Sequence, residues 1–215
     1  AVNVFKVDIA QLKSAEVNKK EEGYYSLWLD SLTFCGETYR NVKFVVMEMQ
    51  QRFNGKVPNV VLDNSILRHR AWHIDLQRHT FTPCSPDRYY GKIRLKCSMG
   101  KGMEDGSIFL KAKVGGRKVR MQFSLNKGQH ILPHGVYEFP SQPLTREGGS
   151  FHRPFSLETL PLYKDVPTQI GDFHFVADYR LGYPGEDKVG TLFLDALEGK
   201  SFVLNYPRKV IEILE

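Results

Sequence analysis

Leu62-Asp63-Asn64-Ser65-Ile66-Leu67-Arg68-His69-Arg70-Ala71-Trp72-His73-Ile74-Asp75-Leu76 and Leu192-Phe193-Leu194-Asp195-Ala196-Leu197-Glu198-Gly199-Lys200-Ser201-Phe202-Val203-Leu204-Asn205-Tyr206 align without a gap, at a constant offset of 130 residues (62 to 192). Leucine meets leucine at 62 and 192, and again at 67 and 197. Trp72 meets Phe202, Ile74 meets Leu204 and Asp75 meets Asn205; further on, Arg78 meets Arg208 and Phe81 meets Ile211. Self-similarity at a fixed spacing is the mark of a duplicated structural unit.

Upstream the match continues with a small shift. Leu29-Asp30-Ser31-Leu32-Thr33-Phe34 lies over Leu157-Glu158-Thr159-Leu160-Pro161-Leu162, and Val42-Lys43-Phe44-Val45 over Phe173-His174-Phe175-Val176. The local period is two rather than 3.6: Tyr25–Leu29, Lys43–Met47, Ile93–Cys97, Phe109–Val114 and Val119–Leu125 alternate and are rich in β-branched and aromatic residues. Cys35-Gly36-Glu37, Gly100-Lys101-Gly102, Glu104-Asp105-Gly106 and Gly115-Gly116 punctuate them as turns, the last as a tight hairpin. Only Ser65–His69 and Asp195–Glu198 suggest a helical turn. The fold class expected is all-β: two related β-barrel lobes, 1–83 and 84–215, with Cys84–Gly91 as the connection between them. Copy two has a long segment, Tyr89 to Gly149, ahead of its matched block, whereas copy one has only Ala1 to Gly23. The first lobe is therefore expected to be incomplete at its N-terminus, as a fragment or as a reduced lobe.

The net charge of +6 and pI near 9.1 favour acidic partners in general. Arg68, Arg70, Arg78, Arg88, Lys92, Arg94, Lys96, Arg117, Lys118 and Arg120 are scattered and alternate with apolar residues, the pattern of a solvated strand face, so nucleic acid is not expected as the partner. No apolar run reaches the length of about 20 residues that spans a bilayer. Cys35, Cys84 and Cys97 are odd in number and have no zinc spacing; a Cys84–Cys97 disulfide and the redox compartment stay open. His69 and His73 have the i, i+4 spacing of a helical metal pair, with His79 nearby, but Trp72–Leu76 reads as a strand, where that spacing does not converge, so no metal is expected. His130 and His134 flank Pro133, a poor setting for a helix. Asp30, Asp75 and Asp195 read as turn or cap residues. No P-loop, dinucleotide or Gly-x-Ser-x-Gly motif is present, and no cofactor is expected.

Gly190-Thr191-Leu192-Phe193-Leu194-Asp195-Ala196-Leu197, followed by Phe202-Val203-Leu204-Asn205-Tyr206-Pro207-Arg208-Lys209-Val210-Ile211, resembles the end of a lobe in the aspartic-protease family, of pepsin or retropepsin type. Val61-Leu62-Asp63 and Trp72-His73-Ile74-Asp75-Leu76 end copy one in the same way. Phe109–Arg120 is similar to the family's opening hairpin, which leads into its catalytic Asp-Thr-Gly. The resemblance implies a cleft between lobes that holds an extended peptide, and a pair of carboxylates, one per lobe, sharing a proton.

This sequence departs from that chemistry. After the hairpin it reads Phe123-Ser124-Leu125-Asn126-Lys127-Gly128, so Asn126 occupies the Asp position, followed by Lys127 and Gly128. An amide has neither the charge nor the proton-accepting capacity of a carboxylate. Asp63 and Phe193 stand where the family has glycine, and the matching catalytic site of copy one would lie before Ala1. The sequence thus implies no catalytic residue: a non-catalytic, protease-like protein that binds a peptide or protein. The alternatives are an aspartic endopeptidase completed by upstream residues or by a second chain as a homodimer, and a basic binder of nucleic acid or acidic glycan.

Overall fold

The computed structural model describes residues 24–47, 64–100, 106–150, 153–185 and 188–214. The chain divides into two compact units, Ala1–Ile66 and Leu67–Glu215. Within the first, β1 (Tyr24–Phe34) and β2 (Glu37–Met47) form an antiparallel hairpin. Cys35 and Gly36, both at positive φ (50° and 78°), make its two-residue turn, the backbone geometry that matches strand twist. A four-residue helical turn, α1 (Asn64–Leu67), crosses from the first unit into the first residue of the second.

The second unit is built on β3 (Ala71–Asp75), β4 (Thr80–Cys84), β5 (Ile93–Met99), β6 (Ile108–Val114), β7 (Arg117–Phe123), β8 (His130–Leu132), β9 (Ser141–Ser150), β10 (Arg153–Ile170), β11 (Phe173–Leu181), β12 (Gly190–Leu192), β13 (Ser201–Asn205) and β14 (Val210–Leu214). Among the described residues these make one 12-stranded sheet in the order β4-β3-β13-β14-β5-β6-β7-β12-β8-β11-β10-β9. β10 also pairs with β6, so the sheet curls back on itself between those strands. Leu95, Ile108, Leu110, Met121, Leu132, Tyr179, Phe202, Leu204 and Ile211 are fully buried side chains of this sheet. The fold is all-β. No helix of the described residues is long and apolar enough to cross a membrane.

The unit boundary lies ahead of the 83/84 division expected from the sequence. β3 and β4 pair into the sheet through β13, so they belong with Leu67–Glu215. Residues 85–92 are outside the strands and carry the chain from β4 to β5, across the positions of β3, β13 and β14. This separates the thiols: Cys84 pairs with Ala71, Ala71 with Asn205, Asn205 with Val210 and Val210 with Lys96, next to Cys97. Four interstrand steps of about 4.8 Å exceed the Cα separation of about 7 Å that a disulfide tolerates, and all three cysteines are free thiols.

The β3–β4 and β13–β14 hairpins repeat each other in register. Ala71 pairs with Cys84 and Asp75 with Thr80; Ser201 pairs with Leu214 and Asn205 with Val210. Each second pairing is the first displaced by 130 positions. The helical turns Asn64–Leu67 and Leu194–Leu197 keep the same displacement, as do the positive-φ residues His79 (53°) and Lys209 (56°). β3 and β13 pair antiparallel, with His73 opposite Val203 at the centre and Asp75 opposite Ser201 balanced by Ala71 opposite Asn205. The two hairpins are therefore related by a local two-fold axis at the His73–Val203 pair.

The upstream alignment does not survive. Leu29 pairs with Val42 across the β1–β2 hairpin, but Leu157 pairs with Glu147 of β9, and Phe173 with Ile170. The hairpin that matches β1–β2 in register turns at Gly171–Asp172, so the proposed equivalence of Leu29 with Leu157 is out of register.

Candidate functional site

The β6–β7 hairpin turns at Gly115 and Gly116, both at positive φ, and delivers the chain to a six-residue loop, Ser124–Gln129, before β8. β7 and β8 are joined by this loop yet are not neighbours: β12 lies between them. Gly190 pairs in parallel with Met121, and Thr191 pairs antiparallel with Ile131. A Cβ at Gly190 would sit 2.4 Å from Met121 Sδ and 2.7 Å from the Ile131 carbonyl, so only glycine lets β12 enter.

The segment after β12 fastens the loop. Ser124 N–H donates to the Leu192 carbonyl (2.9 Å), and Leu194 N–H donates to the Asn126 carbonyl (3.0 Å). Gly128 N–H donates to Asp195 Oδ2 (2.8 Å), while Asn126 N–H donates to Ser124 Oγ (3.2 Å). Asp195 thus anchors the loop from the 3₁₀ turn Leu194–Leu197, in place of the local turn or cap role expected from the sequence; the N-cap of that turn is Phe193. Phe193 N–H donates to His130 Nδ1 (3.1 Å), which fixes that imidazole as the Nε2–H tautomer. Burial pushes His130 below its usual value, against the opposing pull of Asp195 and Asp178.

Asn126 and Lys127 are exposed at the tip. The Phe193 ring lies against Gly128, where a Cβ would be 3.0 Å from it, and stacks on His130 with ring centroids 6.4 Å apart. The glycine needed for close packing is therefore on the loop, at 128, and an aromatic ring fills the facing position. Asp63 lies outside the described residues. Chemically, the loop offers an amide, an ammonium and backbone groups; its nearest carboxylate, Asp195, is occupied as an acceptor for Gly128.

The remaining sequence candidates fall elsewhere. Asp75 Oδ1 accepts from the N–H groups of Gln77 and Arg78 (both 2.9 Å), and these bonds, Arg78 first, hold its carboxyl below the usual range. Asp30 is exposed on β1. His73 bonds Ser201 Oγ (2.8 Å) through Nε2, His69 is exposed, and His79 sits in the β3–β4 turn; no group of three potential metal ligands occurs among the described residues. His134 Nδ1 lies 3.3 Å from the Gly182 carbonyl. Burial pushes the Cys97 thiol up to about 12 and raises Cys84 as well, so neither is poised as a thiolate.

Sequence reasoning missed Glu212. It is fully buried on β14; Oε2 accepts from the N–H groups of Tyr90 (2.7 Å) and Gly91 (3.2 Å), while Oε1 has no hydrogen-bond partner. Asn205 Nδ2 donates to the Pro86 carbonyl (2.9 Å) and Arg208 Nη2 to the Asp87 carbonyl (2.8 Å), so three side chains bind the 85–91 connection to this hairpin. A glutamate in an alternating strand carries no sequence signal of burial, because what covers it is an irregular segment about 120 residues away. No protein-family model matches the chain, and no curated protein matches it.

Proposed function

We propose that this chain is a non-catalytic protein of aspartic-protease-like fold that holds an extended peptide by strand pairing. The observation that carries the reading is the loop Ser124–Gln129, reached from a tight hairpin and laced to Leu192–Asp195 by a strand inserted between β7 and β8. That is the place the family's catalytic loop would take, and here it presents Asn126, Lys127 and a Phe193 ring in place of a carboxylate. The common register of the β3–β4 and β13–β14 hairpins supports descent from a duplicated unit. The β9–β10 hairpin, with Leu157 76% exposed, is the element we assign to peptide contact.

The test is a peptidase assay of the wild type and of Asn126→Asp from about pH 3 to pH 7, the range in which a proton-sharing dyad operates. Neither protein should cleave, and neither should bind a statine-type mimic, whose hydroxyl needs two carboxylates. Pepstatin-sensitive cleavage by the wild type overturns the reading. Cleavage by Asn126→Asp alone would instead point to a dyad completed by a second chain.

A further inference from the structure

The cations that look scattered along the sequence are gathered by strand register. Lys111 pairs with Arg120 and Lys113 with Lys118 across β6–β7, so all four side chains share one face. Ser98 pairs with Phe109 of that face, and alternation along β5 places Lys96 and Arg94 on it too. All six cations are exposed, and among the described residues none of them is in a salt bridge. Like charges directly opposed across a ladder destabilise it, and this hairpin carries two such pairs. A stretch that only needed to be solvated would gain stability from a single acid at 111 or 118.

Planar groups lie on the same face. The Arg94 and Arg208 guanidinium groups sit over the Tyr89 ring, at 3.8 and 4.3 Å from its centroid, and Tyr89 is 57% exposed. Arg120 lies over Phe109 at 4.0 Å. Held flat in this way, guanidinium planes offer stacking surfaces as well as charge. We infer that this face of β5, β6 and β7 binds single-stranded nucleic acid: the lysines contact phosphates, and the Arg94–Tyr89–Arg208 group stacks on a base. The shape favours a single strand over a duplex, because an open sheet face has no helix or ribbon to enter a major groove. The planar groups favour a nucleic acid over an acidic glycan, which has no bases to stack.

The test is fluorescence anisotropy of a labelled oligothymidylate of about 16 nucleotides with the full chain. Binding should be roughly micromolar at low salt and weaken steeply as salt rises, because phosphate contacts release counterions. The double variant Lys111→Glu, Lys118→Glu should bind at least about tenfold more weakly, with a shallower salt slope. Its melting temperature should not fall, because both like-charge pairs become opposite-charge pairs. The variant Lys188→Glu, Lys200→Glu makes the same change in net charge outside these three strands and should bind within about twofold of wild type. Equal losses in the two double variants, or the absence of salt-dependent binding by the wild type, overturn the inference. Tight binding of heparin with no binding of the oligonucleotide overturns it in favour of an acidic glycan.

Discussion

The β3–β4 and β13–β14 hairpins share register, turn geometry and a polar residue at the same place, yet they are buried to very different extents. Every residue of β14 but the last is buried, whereas β4 is exposed or half-exposed throughout. β14 is flanked by β13 and β5, and the 85–91 connection is bonded to its Glu212 side chain; β4 pairs only with β3 among the described residues. Backbone pattern and energetic weight are therefore separable: the same hairpin is a core element in one setting and a margin in the other. Substitutions at equivalent positions should differ by what surrounds them.

The largest contrast is expected between Ile211 and Phe81. Ile211 is fully buried, and Ile211→Ala should cost about 2–5 kcal/mol through lost transfer energy and the cavity left behind. Phe81 is half-exposed and stacks on Trp72 with centroids 4.7 Å apart, so Phe81→Ala should cost about 1 kcal/mol, mostly that ring contact. Denaturant midpoints measure both, and equal losses would break the comparison.

Glu212 and its counterpart Thr82 come next. Glu212→Ala leaves the Tyr90 and Gly91 N–H groups without their acceptor and should cost about 2–4 kcal/mol, while Thr82→Ala, on an exposed site, should stay within about 0.5 kcal/mol. Hydrogen exchange at the Tyr90 and Gly91 amides would show whether the loss is local to the connection. A smaller effect, about 1–2 kcal/mol, is expected for Asn205→Ala, which loses bonds to Arg208 N–H and the Pro86 carbonyl. Asp75→Ala should cost less, because its bonds to Gln77 and Arg78 lie in an exposed turn.

These residues also show what the sequence made legible. The offset of 130 could be read because a short hairpin concentrates unlike signals: leucines of a helical turn, an aromatic aligned with an aromatic, and an Asp or Asn at the strand end that caps the turn. The helical turns and the Gly115–Gly116 and Cys35–Gly36 turns were readable for the same local reasons. Further upstream only alternation remained. Period two repeats every second residue, so it cannot tell one register from the next, and Leu29 matched Leu157 without sharing its partner. β9 carries no strand signal of its own, because Pro143, Gly148 and Gly149 interrupt its alternation, although a strand at the end of a sheet tolerates them. The loop at 124–129 was found through the hairpin before it, but its anchor, Asp195, lies 67 residues from Gly128 and appeared as a local cap.

Two pH windows sharpen the comparison further. His130 is held neutral, with its folded pKa below the ordinary 6.5, so the unfolded chain takes up a proton first. Stability should therefore fall as pH drops below about 6.5 and level off once the folded imidazole also titrates. In His130→Gln, whose side-chain oxygen still accepts from Phe193 N–H, thermal melts should lose that slope.

Asp75 gives the smallest and most specific effect. Its folded pKa is depressed, chiefly by the Arg78 N–H, so its contribution is fully present above the ordinary carboxylate value of 3.8. That contribution is lost as pH falls through the lower folded value, when the neutral acid no longer favours the two amide donors. The matching position in the other hairpin is Asn205, an amide that accepts from Arg208 N–H and does not titrate in this range. Asp75→Asn therefore converts one hairpin cap into the other. It should leave neutral-pH stability nearly unchanged and reduce the acid sensitivity of the melting temperature below about pH 4. Asn205→Asp is the converse exchange, but it introduces a carboxylate at a fully buried site whose Oδ2 would meet the Pro86 carbonyl in place of a donor. It should be destabilising at neutral pH and partly recover as pH falls and the new acid takes up a proton that can be donated to Pro86. A carboxylate that loses stability on acidification at 75 and one that gains it at 205 would establish that the two-fold relation between the hairpins extends to the caps in geometry but not in environment; the same acid response at both positions would refute it.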